Sequence, residues 1–273
     1  MIKYQNLKIG IIGCGNMGES ILYGIIDSEI VPPRNIFISD IKDLSPFKKK
    51  LAINISSNKE LCEKSDIIII AVKPNQVENI LNEIKDNLSP NKLLISIAAG
   101  ISTKKIEKFF KNLKIPVIRV MPNLPIKVRS GIIGYSCGKY SKGKEKIIEE
   151  IFTPLGEVFK IKEEKMDLIT AISGSGPGYF FYIAEIIEKI CRKKGLDANI
   201  SKTISKSLLF GTGKMLLETN YSAKKLKEMV SSPGGTTLAG ISVLKNKKIE
   251  KILKETIESA EKRSKELSKS FEI

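Results

Sequence analysis

The 273-residue sequence predicts a two-part α/β chain: a doubly wound, mostly parallel sheet over residues 1–163, then an all-α part over residues 164–273. Three observations carry this. Short apolar runs alternate with helix-like stretches through the first half. A glycine hexapeptide, Gly13-Cys14-Gly15-Asn16-Met17-Gly18, stands between the first such run and the first helix. Beyond Lys162–Lys165 the apolar residues recur at helical spacing instead.

The first strand is expected at Lys8–Ile12, and Glu19–Ile26 reads as the helix that the hexapeptide opens. In that setting the first glycine permits the tight turn. The second lets the backbone approach a pyrophosphate, and the third lets helix and strand pack closely. Ile12, Gly13, Cys14, Gly15, Asn16, Met17 and Gly18 therefore form a candidate dinucleotide site. Further strands are expected at Ile36–Ser39, Ile67–Val72, Leu93–Ile97, Val117–Val120 and Ile132–Tyr135, with a seventh at Glu157–Ile161. Gln76–Ile84 and Thr103–Phe110 read as helices, the second capped by Ser102. The last strands follow one another without a long helix, so an antiparallel edge is expected there.

In the second half, Ile183, Ile186, Ile187 and Ile190 share one helix face, closed by Gly195. Ser201 is the expected cap of a second helix carrying Ile204, Leu208, Leu209, Met215 and Leu216. A last stripe holds Ile249, Ile252, Leu253, Ile257, Ala260 and Leu267, opposite the pairs Glu250/Lys254, Glu258/Lys262 and Glu261/Lys265. Gly178, Gly211 and Gly213 interrupt these patterns, each costing about 1 kcal/mol relative to alanine. Helices this apolar are expected to bury themselves against a second subunit.

Composition narrows the chemistry. The sequence has no histidine, which excludes imidazole acid–base catalysis, histidine triads and histidine metal sites. Its four cysteines, at 14, 62, 137 and 191, have neither metal nor disulfide-scaffold spacing, so no metal is expected and a reducing cytoplasm fits best. No apolar run approaches the ~20 residues of a membrane span, and no secretory pattern precedes the first strand. The formal charge is +16, but the lysines are spread along the chain and aromatics are sparse. That is the pattern of solvated helix faces, so neither a nucleic-acid nor a membrane partner is expected.

Three further segments end strands, where open α/β sheets bind ligands. They are Ala71-Val72-Lys73-Pro74, Ser96-Ile97-Ala98-Ala99-Gly100 and Met121-Pro122-Asn123-Leu124-Pro125. In the helical half, Ser173-Gly174-Ser175-Gly176-Pro177-Gly178 and Ser231-Ser232-Pro233-Gly234-Gly235-Thr236-Thr237 each precede a helix. The second is expected to leave the amides of Gly234 to Thr237 unpaired at a helix N-terminus, a cradle for carboxylate or phosphate. Asp40 closes the second strand about twenty residues past Gly18, the place of the acid that holds the ribose hydroxyls of NAD.

These segments, with Lys214–Thr219 and the tail Ser264–Ser270, fall in one order along the whole chain, and in that order the sequence resembles the pyrroline-5-carboxylate reductase family. The resemblance implies a Rossmann-like first domain, a helical substrate-binding and dimerisation domain, and dimers that join into larger rings. It implies hydride transfer from NADPH or NADH to the C=N carbon of 1-pyrroline-5-carboxylate, giving L-proline. By the same resemblance Ser39, Asp40 and Asn58 lie at the adenosine ribose. Ala71, Val72, Lys73, Pro74, Ala98, Ala99 and Gly100 line the cofactor, and Pro122 and Asn123 border the nicotinamide. Ser175 and the amides around Ser232, Gly234, Gly235 and Thr236 would hold the substrate. The Thr237 hydroxyl, the catalytic candidate, would hydrogen-bond near the ring nitrogen. The substrate loop completes a site shared between dimer partners in that family.

Two departures stand out. Leu124 replaces a threonine of many members, removing a hydroxyl at the nicotinamide rim. Asp40 stands where many have a small hydroxyl residue, so NADH is expected to serve at least as well as NADPH. Two other readings fit the same fold class: a reductase of another cyclic imine or of a 3-hydroxy acid, and a non-catalytic nucleotide-binding protein.

Overall fold

The structure, a computed structural model, describes residues 3–110 and 113–269. In chain order the elements are β1 (Ile9–Ile12), α1 (Asn16–Asp27), β2 (Ile36–Ser39), α2 (Ser45–Leu51), β3 (Asn54–Ile55) and α3 (Asn58–Lys64). Then come β4 (Ile67–Ile70), α4 (Val77–Ile84), β5 (Leu93–Ser96), α5 (Thr103–Phe109), β6 (Val117–Met121), β7 (Gly131–Cys137), α6 (Glu145–Phe152) and β8 (Gly156–Lys160). The helical remainder is α7 (Met166–Ile169), a π-helical turn (Thr170–Gly174), α8 (Gly176–Lys193), α9 (Ala198–Glu218), α10 (Ala223–Met229), α11 (Thr236–Asn246) and α12 (Ile249–Lys269).

One eight-stranded sheet runs in the order β3-β2-β1-β4-β5-β6-β7-β8. The pairs from β3 to β6 are parallel, β7 is antiparallel to β6, and β8 is parallel to β7. Alternation along each strand sorts the core into two layers. Ile9, Ile11, Ile67, Ile69, Leu93 and Ile95 face α1 and α6, whereas Ile12, Ile68, Ile70 and Leu94 face α3, α4 and α5. Helices on both faces explain why the central strands are apolar at every position.

The expected strands are all present, with ends shifted by up to two residues. Ser102 caps α5, its hydroxyl accepting the Lys105 N–H at 3.3 Å. The expected antiparallel edge is made by β7 and β8 together: only the β6–β7 pairing is antiparallel, and α6 carries the chain over to a β8 parallel to β7, so both strands run against the other six. The cap of α9 is Asp197, which accepts the N–H groups of Asn199 and Ile200. Ser201 instead lies within the helix, fully buried, and its hydroxyl donates back to the Asp197 carbonyl at 2.8 Å.

The chain divides into two compact units, Met1–Ser175 with Ala260–Ile273, and Gly176–Ser259. In the second, α8 and α9 pack as a helical hairpin, and Gly195 ends α8 with φ +90°. A Cβ at Gly178, Gly211 or Gly213 would meet nothing within 4 Å, so these glycines open onto free helix surface. On α12 the ion pairs include Lys251–Glu255, Lys254–Glu258 and Glu261–Lys265. Ser270, the last residue of the tail motif, lies outside the described residues.

Candidate active site

The glycine loop is built by close approach. Gly13 has φ +95°, and its N–H donates to the Ser39 carbonyl at 2.8 Å. A Cβ there would lie 2.7 Å from the Ala71 carbonyl oxygen, and one at Gly18 only 1.9 Å from the Gly13 carbonyl oxygen. Gly15 is different: a Cβ would meet nothing within 4 Å. Gly15 caps α1 without a side-chain partner, so the first amides of the helix face open space. An uncapped helix start beside an open glycine fits the diphosphate of a dinucleotide.

Asp40 is held at the end of β2. Its carboxylate accepts the Cys14 N–H at 2.5 Å and the Lys42 N–H at 3.0 Å. The Cys14 thiol is buried, and burial first, then the Asp40 charge, pushes its pKa up to about 12. It is a neutral spacer in the loop rather than a nucleophile. Lys42 places its ammonium 5.6 Å from the Phe47 ring centroid. Asn58, in the first turn of α3, donates its side-chain amide to Glu83 at 2.8 Å.

The other strand ends form a common rim. Ala71 N–H donates to the Ile12 carbonyl at 2.8 Å, and Ile97 N–H to the Ile70 carbonyl at 3.1 Å. Val72 is half-buried, Lys73 exposed, and Pro74 opens a short 3-10 turn. Ala98 N–H faces the Ser96 hydroxyl, Ala99 is half-buried, and Gly100 takes φ +78°. Pro122 and Asn123 are buried at the end of β6, while Leu124 is exposed. Asn123 Oδ1 accepts the Ile132 N–H at 2.9 Å, and its Nδ2 donates to the Ser173 carbonyl at 3.1 Å. The structure therefore brings the 121–125 loop against the π-helical turn that leads into Ser175.

In the second unit, Ser232–Thr237 forms a turn in which Gly234 has φ +71° and Gly235 N–H donates to the Ser232 carbonyl at 3.0 Å. The Gly235 amide is thus used, contrary to the expectation of four free amides. Gly235 caps α11 without a side-chain hydrogen bond, which leaves the opening amides at Thr236 and Thr237 to face outward. Ser232, Gly234 and Thr236 are exposed, and Thr237 is half-buried.

Sequence reading missed one cluster. Arg119 on β6 is 3% exposed and donates to Glu163 at 2.9 Å and Asp167 at 3.2 Å. Thr103 donates to the other Glu163 oxygen, and buried Ser264 to Asp167. An arginine inside an apolar strand, with two acids four residues apart downstream, was the available signal.

The open glycine loop at a parallel-sheet switch point, an acid at the end of β2, and an adjoining all-α unit define the class: a nicotinamide-dinucleotide oxidoreductase with a helical second domain. Residues 163–267 match the family model for pyrroline-5-carboxylate reductase dimerisation, and residues 8–100 that for coenzyme F420-dependent NADP oxidoreductase. Pyrroline-5-carboxylate reductase 1 of Bacillus subtilis (strain 168) is 36% identical, covering 98% of this chain and 92% of its own. The Methanosarcina acetivorans pyrroline-5-carboxylate reductase is also 36% identical, over 97% and 99%. The crystal structure of Plasmodium falciparum pyrroline carboxylate reductase with NADP bound superposes with a TM-score of 0.87 at 32% identity, over 98% of this chain and 100% of that one. The chain belongs to the pyrroline-5-carboxylate reductase family.

Proposed function

We propose that this chain reduces 1-pyrroline-5-carboxylate to L-proline with NADH or NADPH, the last step of proline biosynthesis. The observation that carries the substrate assignment is the uncapped start of α11 at Ser232–Thr237, an amide cradle suited to a small carboxylate. The bound nicotinamide supplies the hydride. The substrate nitrogen can enter already protonated, so hydride addition to the adjacent carbon gives a neutral amine without an imidazole. What the chain then does is bind and align. The amides around Ser232, Gly234 and Thr236 hold the carboxylate, and the Thr237 hydroxyl orients the ring nitrogen; Ser175 is a separate substrate-binding candidate.

The cofactor residues are those of the glycine loop, Ser39, Asp40 and Asn58, and the rim at Ala71–Pro74, Ala98–Gly100, Pro122 and the backbone of Asn123, whose side chain is committed to Ile132 and Ser173. Asp40 places a fixed carboxylate beside the expected ribose, and the two groups that would welcome a 2′-phosphate, Lys42 and Asn58, already have partners. NADH therefore serves at least as well as NADPH. Residues 1–163 act as the nucleotide-binding domain and 164–273 as the substrate and dimerisation domain. The working unit is a homodimer, joined into a larger ring, in a reducing cytoplasm that keeps its four cysteines as thiols.

Following absorbance of the reduced nicotinamide, with pyrroline-5-carboxylate and each cofactor in parallel, tests this. Oxidation with proline formed, and kcat/KM for NADH equal to or above that for NADPH, is expected. Asp40→Ser should shift the ratio toward NADPH. No oxidation with either cofactor by folded protein overturns the assignment.

A further inference from the structure

We propose that Asn123 is a positioning residue whose carboxamide supplies the hydrogen bond that Pro177 withholds, and that it thereby fixes the π-helical register leading into Ser175. In an α-helix the Ser173 carbonyl would accept the N–H of residue 177. That residue is a proline, which has no N–H and whose ring crowds the carbonyl four residues earlier. The local answer is the π-helical turn Thr170–Gly174, closed by Ser175 N–H donating to the Thr170 carbonyl at 2.9 Å. Asn123 Nδ2 reaches the Ser173 carbonyl from the end of β6, 50 residues away in sequence.

Three observations show that this is a built contact. Asn123 and Ser173 are both buried, at 4% and 5% exposure. Asn123 Oδ1 is pinned by the Ile132 N–H, which fixes the direction in which Nδ2 points. Beside it, a Cβ at Gly174 would lie 2.6 Å from Met121 Cε, so the glycine lets the turn sit directly on the 121–123 segment. Two sequence motifs thus meet through an amide, a carbonyl and a glycine, all within one compact unit.

The consequence is register. Converting the π turn to α removes one residue from the bulge and rotates Ser175 by about 100° about the helix axis. Asn123 acts on the reaction by holding Ser175 in place, while the glycine loop binds the dinucleotide independently. The kinetic part rests on the reductase reading; the stability part does not.

The test is a double-mutant cycle of Asn123→Ala and Pro177→Ala, with Asn123→Asp as a second probe that keeps an acceptor for Ile132 but loses the donor. Melting temperature, kcat and the NADH dissociation constant are read for each. With proline at 177, either Asn123 variant should lower the melting temperature, cut kcat about 100-fold, and leave NADH binding within about twofold because the glycine loop is untouched. In the Pro177→Ala background the new N–H takes over the Ser173 carbonyl, so the melting-temperature loss should shrink while kcat stays low. Equal melting-temperature losses in both backgrounds overturn the proposal. So does recovery of kcat together with stability, which marks a merely structural contact. Weakened NADH binding with kcat retained at saturation also overturns it, marking a direct cofactor contact. If wild-type protein turned over no pyrroline-5-carboxylate, the functional reading would fail while the stability cycle still decided the hydrogen-bond exchange.

Discussion

Cys14 and Cys62 share an environment that makes a thiol chemically silent. Burial pushes each pKa from the ordinary 9.0 up to about 12, and for Cys14 the neighbouring Asp40 charge adds to it. A raised folded-state pKa means the native state holds its proton more tightly than the unfolded chain. The resulting stability is fully present below pH 9 and is lost as pH rises toward 12. Urea midpoints should therefore fall more steeply between pH 9 and pH 11 in wild-type protein than in a Cys14→Ala/Cys62→Ala variant. Parallel slopes would show that these thiols do not control alkaline stability. The acid at 40 was readable in the sequence as the end of β2. Its hydrogen bond to the Cys14 amide was not, because that pairing spans 26 residues and depends on how β1 and β2 align.

Elements with a strong apolar period were legible, and those held by tertiary context were not. The runs Ile9–Ile12 and Ile67–Ile70 are strands on composition alone. β3 is two residues long and exists because β2 offers it an edge. α6 buries Ile148, Ile151 and Phe152 at helical spacing, yet it is only eight residues long and follows a Gly/Lys-rich stretch that reads as loop. Its presence turns β8 parallel to β7. The buried cluster at Arg119 ties β6, α5, α7 and the C-terminal end of α12 together through Thr103, Glu163, Asp167 and Ser264. Its Nε is buried without a partner among the described residues, so the two ion pairs carry the compensation for a desolvated guanidinium. Arg119→Ala would leave two acids facing a cavity and should cost about 3 kcal/mol in chemical denaturation. Asp167→Asn keeps an acceptor for Ser264 and should cost less. A loss of under about 1 kcal/mol for Arg119→Ala, the range of exposed pairs, would show the cluster to be solvent-screened.

For the whole molecule, the helical unit exposes an apolar surface too extensive for an isolated protein. Phe181, Phe210 and Leu217 are 58%, 72% and 83% exposed, and Ile183, Ile186 and Ile190 are also open. Monomers rarely leave contiguous patches above a few hundred Å² uncovered. The stripe on α8 was legible in sequence, but periodicity cannot say whether a stripe meets its own chain or a second one. The open glycines at 178, 211 and 213 point to a second copy, since nothing among the described residues uses the space beside them. This agrees with the dimerisation-family match over 163–267. A charge on that surface tests the argument. Phe181→Glu with Leu217→Glu buries two carboxylates in any helix-to-helix interface and should shift the protein to monomer in sedimentation velocity. Because the loop proposed to hold the substrate lies in the same helical part, turnover should fall at least about tenfold as the interface is lost. NADH binding, proposed to rest on the glycine loop of the other unit, should persist. An intact oligomer with full turnover would place the subunit contact elsewhere and leave this surface unexplained.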